Sequence, residues 1–220
     1  MEVKYNHLFK TNKMKKTILF SLSLSLIMAY SCNQESITET PEDIQLGEIT
    51  ALLPLEKFEQ NSFAVFKNKN GDEVSFQLSV KTEEIQKSIG NMPYKTESIK
   101  LTYTHPNDSN FTLYIKSSGK YIDVKNHIES IECFYDQSLN QETPFIFPRI
   151  SIDKDGNITQ GVFHESDILL NTEFQRVYKS RNLIVNQPDE NQFNIYYTPE
   201  LGFIGFETVN NELWVFERFD

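Results

Sequence analysis

Val74, Phe76, Leu78 and Val80 alternate with Ser75, Gln77, Ser79 and Lys81, a period of two that predicts a strand with one wet and one dry side. The apolar run Phe63, Ala64, Val65, Phe66 precedes it across Asn68, Lys69, Asn70, Gly71 and Asp72. Asn-Gly between two such runs predicts a hairpin. In residues 82–90 the apolar positions Ile85 and Ile89 stand four apart and a glycine follows, which predicts one short helix. Alternation returns at Ile99, Leu101 and Tyr103, then at Phe111, Leu113 and Ile115, and a turn at residues 117–120 leads to Tyr121, Ile122 and Val124.

The pattern continues to the end of the chain. Residues 127–135 fit either a strand or a helical turn, and Pro144 and Pro148 bracket an extended edge piece at Phe145, Ile146 and Phe147. Ile150 and Ile152 open a hairpin that turns at residues 153–157 and returns through residues 158–163. Further strands are expected at 174–178, 183–185 and 193–197, and at 203–206 and 213–216 as a last hairpin. In that hairpin Ile204 and Phe206 are expected to share a face with Trp214 and Phe216. Turns every 8 to 15 residues or so, with no heptad and no solenoid repeat, predict a mainly β fold. The expectation is a single antiparallel β-sandwich or curved-sheet, half-barrel domain over residues 48–220, with at most one or two short helices.

The first 47 residues read differently. Lys15 and Lys16 precede an uncharged run from Thr17 to Tyr30 that ends at Ser31 and Cys32, after which polar residues begin at once. Fourteen residues are too few for a bilayer-spanning helix, which needs roughly 20. Ala29, Tyr30, Ser31 and Cys32 resemble the loose lipoboxes of Bacteroidetes lipoproteins. That resemblance implies cleavage before Cys32, diacylation of its sulfur and anchorage of the chain to the cell envelope by the lipid. The residues taken by themselves also fit an ordinary secretory signal with Cys32 as a plain thiol. Residues 1–31 are thus a leader, with translation starting at Met14 because residues 1–13 carry Glu2 and a mixed polar pattern. Residues 32–47 hold Glu35, Glu39, Glu42 and Asp43 without a basic residue, and are expected to form an acidic, flexible tether. The acidic residues behind Cys32 also resemble the surface-export signals of the same lipoproteins, so the expected place is the outer membrane, with the domain facing the periplasm or the cell exterior.

Charge narrows the partners. The chain has 21 basic and 31 acidic residues, a formal charge of −10. Residues 1–31 carry Lys4, Lys10, Lys13, Lys15 and Lys16 against Glu2, so the charge without them is about −14. A field of that sign repels phosphate backbones, and no nucleic-acid partner is expected. The membrane partner is reached through the lipid on Cys32, and a glycan or protein ligand remains open.

The chemistry-bearing residues are few. Cys133 stands between Glu132 and Phe134 in a strand-like setting and reads as a small buried hydrophobe. A nucleophilic role would need a histidine such as His127 or His164 and electropositive surroundings, whereas Glu129, Glu132 and Asp136 make these negative. Asp153, Asp155 and Asn157 are spaced like the first ligands of a calcium loop. However, Ile158 occupies the position that needs glycine and no glutamate closes the loop, so a plain hairpin turn is expected. Residues 164–167, His-Glu-Ser-Asp, read as a solvated loop. No catalytic residue, metal ligand or cofactor is assigned.

The last 50 residues or so contain Phe174, Val177 and Tyr178, the run Ile195, Tyr196, Tyr197, then Gly202, Gly205 and Phe206, and finally Trp214. They resemble the carboxyl-terminal pattern of uncharacterised lipoproteins from flavobacteria, which implies a lineage and compartment and no activity. The leading expectation is a non-catalytic binding or accessory lipoprotein. A structural or assembly component is the alternative, and a hydrolase using a carboxylate pair or the region of His164 is the third.

Overall fold

The computed structural model describes residues 40–108, 111–137, 148–180, 194–208 and 212–220, with the backbone alone for 135–137. The leader with Cys32, the edge piece at 145–147, the expected strand at 183–185 and the tip of the last hairpin at 209–211 lie outside the described residues.

Among the described residues twelve antiparallel strands form one nearly closed, barrel-like sheet. They are β1 (Phe63–Asn68), β2 (Glu73–Ile89), β3 (Met92–Thr104), β4 (Phe111–Tyr121), β5 (His127–Gln137), β6 (Arg149–Asp153), β7 (Ile158–Gln160), β8 (Val162–Leu169), β9 (Thr172–Lys179), β10 (Ile195–Thr198), β11 (Gly202–Glu207) and β12 (Leu213–Phe219). Their order is β7-β6-β5-β4-β3-β2-β1-β12-β11-β10-β9-β8. The two strands at the ends of that order are consecutive in sequence and joined by Gly161 alone. Residues 158–163, expected as one strand, therefore break at a corner. Gly161 has φ +120°, and a Cβ there would stand 2.7 Å from the carbonyl oxygen of Lys179, so only glycine fits. Nearby, the Tyr178 hydroxyl donates to the Gly156 carbonyl at 3.2 Å and ties β9 to the β6–β7 turn.

The alternating apolar residues point inward. Phe66, Phe76, Leu101, Tyr103, Leu113, Ile115, Ile131, Ile150, Tyr197 and Phe203 are fully buried in one cluster, and the 3-10 turn Glu48–Leu52 and the helix α1 (Leu55–Gln60) add Ile49 and Phe58 to it. Registers agree: Leu78, Tyr103 and Leu113 stand side by side, as do Ile115, Cys133 and Ile150.

The helix expected at 82–90 is absent; those residues are the distal half of β2, paired from Thr82 opposite Ile99 to Ile89 opposite Met92. Four is an even number, so Ile85 and Ile89 share a face in a strand as well as in a helix, and the glycine is the left-handed corner of a two-residue hairpin at φ +57°. Residues 127–135 resolve as strand β5.

The tether expected over residues 32–47 ends earlier than its composition suggests, because residues 40–47 belong with the sheet. Ile44 inserts between β3 and β4 where those strands part: its N–H donates to the Lys95 carbonyl at 2.8 Å and its carbonyl accepts from the Glu97 N–H at 2.9 Å. The Leu46 N–H donates to the Glu97 carboxylate and the Gly47 N–H to the Glu129 carboxylate. Gly119 leaves the space, since a Cβ there would lie 2.5 Å from Ile44 Cγ2. Composition treats an acidic run as solvated, but here distant carboxylates accept its backbone amides.

A bulge changes the expected face of Ile204. Ile195 pairs with Phe206 and Tyr196 with Gly205, yet Tyr197 pairs with Phe203, so Ile204 is an extra residue. It joins an outer cluster with Tyr196 and Val215, while Phe206 stays inside and stacks on Trp214 at 6.4 Å. The β8–β9 hairpin covers that outer cluster, packing Leu169, Phe174 and Val177 onto it beyond a kink at Arg176, whose φ is +55°.

Candidate functional site

The sheet thus has two outward regions of different character. Over β9–β12 the folded-back hairpin hides an apolar patch; over β2–β6 nothing among the described residues does. The register there aligns side chains into rows across five strands. One row is Ser79, Thr102, Tyr114, Phe134 and Arg149; the next is Lys81, Lys100, Lys116, Glu132 and Ser151. These are the polar positions of the same alternation that supplies the core, so the pleat itself presents them together.

Two aromatic rings stand in this surface, Tyr114 and Phe134, both half-buried, with centroids 5.2 Å apart. Lys100 Nζ lies 3.9 Å from the centre of the Tyr114 ring and the Arg149 guanidinium 5.6 Å from that of Phe134. A cation over an aromatic face gains about 0.5–1 kcal/mol at exposed sites. The rings, tilted 33° to one another, are thereby flanked by charge. The Glu83 carboxyl is held below its usual range, first by a hydrogen bond from Lys81 and then by the charges of Lys81, Lys116 and Lys100. Lys87 is lowered as well: burial lowers its ammonium first, and Lys116 and Lys120 repel it further, although it donates to the Gly119 carbonyl at 2.9 Å. The lysines of this region therefore share one positive field. The polar, cation-bearing outside and apolar inside are the inverse of a membrane barrel, whose outside is apolar. Among the described residues no helix is long and apolar enough to cross a membrane.

Two of the clefts among the described residues lie elsewhere. One of about 230 Å³ sits beside the inserted N-terminal segment, lined by Asp43, Ile44, Glu84, Lys95 and Glu97 among others. Its charges are already engaged: Lys95 Nζ is 2.7 Å from Glu84, and the Lys95 N–H donates to Asp43 at 2.7 Å. The other, of about 280 Å³, lies under the β8–β9 turn between Leu170, Asn171 and Val215, with Lys67 and Lys69 at its rim.

The chemistry-bearing residues singled out in the sequence are dispersed. Cys133 is fully buried in the barrel, where burial first and Glu132 second push its thiol well up, so it is protonated and inert. His127 lies on the same strand six residues away, roughly 20 Å along it. His127 Nε2 is 3.9 Å from the Glu129 carboxylate, beyond hydrogen-bond reach, and that carboxylate serves the Gly47 amide. His164, Glu165, Ser166 and Asp167 are not a loop: they lie in strand β8, paired with β9. Asp153 closes its turn with its own carboxylate, accepting from the N–H groups of Asp155 at 3.0 Å and Asn157 at 2.8 Å, as a plain hairpin turn does. Among the described residues no three His, Cys, Asp or Glu side chains are grouped as metal ligands. The aromatic and lysine rows escaped sequence reading because strand partners fix them. The signal was present only as Lys100, Tyr114, Lys116 and Phe134 on the wet side of predicted strands.

No family model, no curated protein and no solved structure matches this chain.

Proposed function

We propose that this chain is an envelope lipoprotein, anchored through a lipid on Cys32, and that it acts as a non-catalytic binding module whose ligand lies across the outward face of β2–β6. The observation that carries the binding reading is the pair of half-buried rings, Tyr114 and Phe134, flanked by Lys100 and Arg149 on a surface otherwise built of charged and small polar residues. A large aromatic kept at a wet strand position offers contact area at low entropic cost. The anchor reading is supported by Lys15, Lys16, the uncharged run and Cys32. It accords with a bacterial outer-membrane lipoprotein, periplasmic or surface-exposed.

Two experiments test this. Labelling with a palmitate analogue is expected for the intact chain and lost in Cys32→Ala, and equal labelling of both would defeat the anchor. On glycan and peptide arrays, a signal abolished in the Tyr114→Ala, Phe134→Ala double variant supports the binding face. A signal that the double variant retains places the ligand elsewhere and defeats it.

A further inference from the structure

The ligand class can be taken further, on the premise that the outward face of β2–β6 is the binding surface. We propose that this face binds an extended acidic polysaccharide, a chain of sugar rings carrying carboxylates, laid across the strands along Lys81, Lys100 and Lys116.

The first argument is charge. In a chain of net charge −10, this face gathers Lys81, Lys87, Lys100, Lys116, Lys120 and Arg149 against Glu83, Glu132 and Asp153. A face where cations outnumber carboxylates, on a protein whose net charge is negative, marks where an anion is welcome.

The second is spacing. Lys81, Lys100 and Lys116 are in register on three neighbouring strands, so their stems leave the sheet at intervals of about 4.8 Å, in a line perpendicular to the strands. An extended polymer with one carboxylate per sugar ring presents its charges at a comparable step. Duplex nucleic acid carries a charge about every 1.7 Å and would force most of its phosphates against the acidic remainder of the protein.

The third is the ground between the cations. Ser79, Thr102, Ser118, Ser130 and Ser151 pave this face with hydroxyls, which exchange hydrogen bonds with sugar hydroxyls, and neither described cleft opens among them to take an apolar peptide side chain. Tyr114 and Phe134 supply flat rings for the C–H faces of the sugars beside the lysine line.

The test is affinity electrophoresis of the purified full chain through gels containing polygalacturonate, alginate or polyglucuronate, with dextran and poly-glutamate as comparisons. Retardation is expected in at least one acidic polysaccharide, with at least tenfold weaker binding in Lys100→Ala, Lys116→Ala, a decline with salt, and no change in Lys154→Ala on the β6–β7 turn. A thermal melt of each variant separates lost binding from lost folding, and Lys100→Gln, Lys116→Gln gives a second, conservative pair. Equal retardation by poly-glutamate would overturn the glycan in favour of an acidic peptide. Retardation by dextran alone, abolished in Tyr114→Ala, would overturn the acidic ligand while leaving the binding face standing. Absence of retardation in all three acidic polymers would overturn this proposal, and array binding that still depends on Tyr114 and Phe134 would then show the face itself to be sound.

Discussion

Tyr103 on β3 and Phe203 on β11, 100 residues apart in sequence and on opposite walls, meet inside the barrel. The Phe203 N–H donates to the Tyr103 hydroxyl oxygen at 3.2 Å, and the two rings lie 5.3 Å apart, edge to face. A backbone amide buried there has no water to turn to, so one phenol joins the two halves of the sheet. Tyr103→Phe keeps the ring and removes the acceptor, and is expected to cost about 1–3 kcal/mol of stability. Urea unfolding of both proteins checks this, and an unchanged midpoint would refute it.

Gly119→Ala is expected to eject the inserted segment. The new methyl would overlap Ile44 Cγ2 and crowd Thr96 Oγ1 at 3.1 Å, and the fully paired strands of the barrel cannot yield as readily as residues 42–46. Hydrogen exchange should show the amides of Ile44 and Glu97 losing protection while those of β10 and β11 keep theirs. Protection lost everywhere would mean that the segment holds the whole barrel.

Stability should fall on the alkaline side. Burial raises the thiol of Cys133 and the phenols of Tyr103 and Tyr197, which therefore stay protonated in the fold above their ordinary values. Raised groups contribute stability that is complete below the unfolded values, about 8.5 for a thiol and about 10 for a phenol, and is lost as pH climbs beyond them. The denaturation midpoint should be level from about pH 7 to 8 and decline above about pH 9. The same burial predicts that Cys133 reacts with a thiol reagent only on unfolding, and rapid reaction of the native protein would contradict it.

Leu170→Asn should stabilise. Leu170 and Asn171 form the two-residue turn of β8–β9 with φ of +45° and +72°, and Leu170 is 36% exposed. A left-handed conformation costs a residue with a branched apolar side chain roughly 1–2 kcal/mol, and asparagine tolerates it better. A gain of up to about 1 kcal/mol in chemical denaturation is the expected result; a loss would show that Leu170 packs over the cleft beside Val215.

Glu200→Gln should change little. Its carboxylate meets Arg176 at 2.8 Å, but both side chains are about half exposed, so the pair is worth at most about 1 kcal/mol. A larger loss in chemical denaturation would mean that this ion pair fixes the kink of β9.

Where the chain alternates, it was legible. Val74 to Lys81, Ile99 to Tyr103 and Phe111 to Ile115 declare their inner and outer sides, and those sides are the ones observed, except that Val80 is 40% exposed. Where two periods coincide it was not: Ile85 and Ile89 satisfy both helix and strand, and the partner strand at residues 92–99 decides between them. Ile204 was misread because a bulge adds a residue that no alternation can announce. The candidate site was half legible, since its lysines and aromatics stood on predicted wet faces but their alignment depends on the offsets of four strand pairs.

By itself the sequence determined the class of fold, through the period-two burial of Phe, Leu, Ile and Tyr, and the acidic balance of the chain. It also determined that Cys133 lies inside, because an apolar strand carries it there. Tertiary structure alone decided that the sheet nearly closes at Gly161, that residues 40–47 dock between β3 and β4, and that one outward face is covered while the other gathers lysines. The physical reason is that a strand's own residues set which side is wet, whereas register, closure and coverage are set by hydrogen bonds and contacts between residues far apart in the chain.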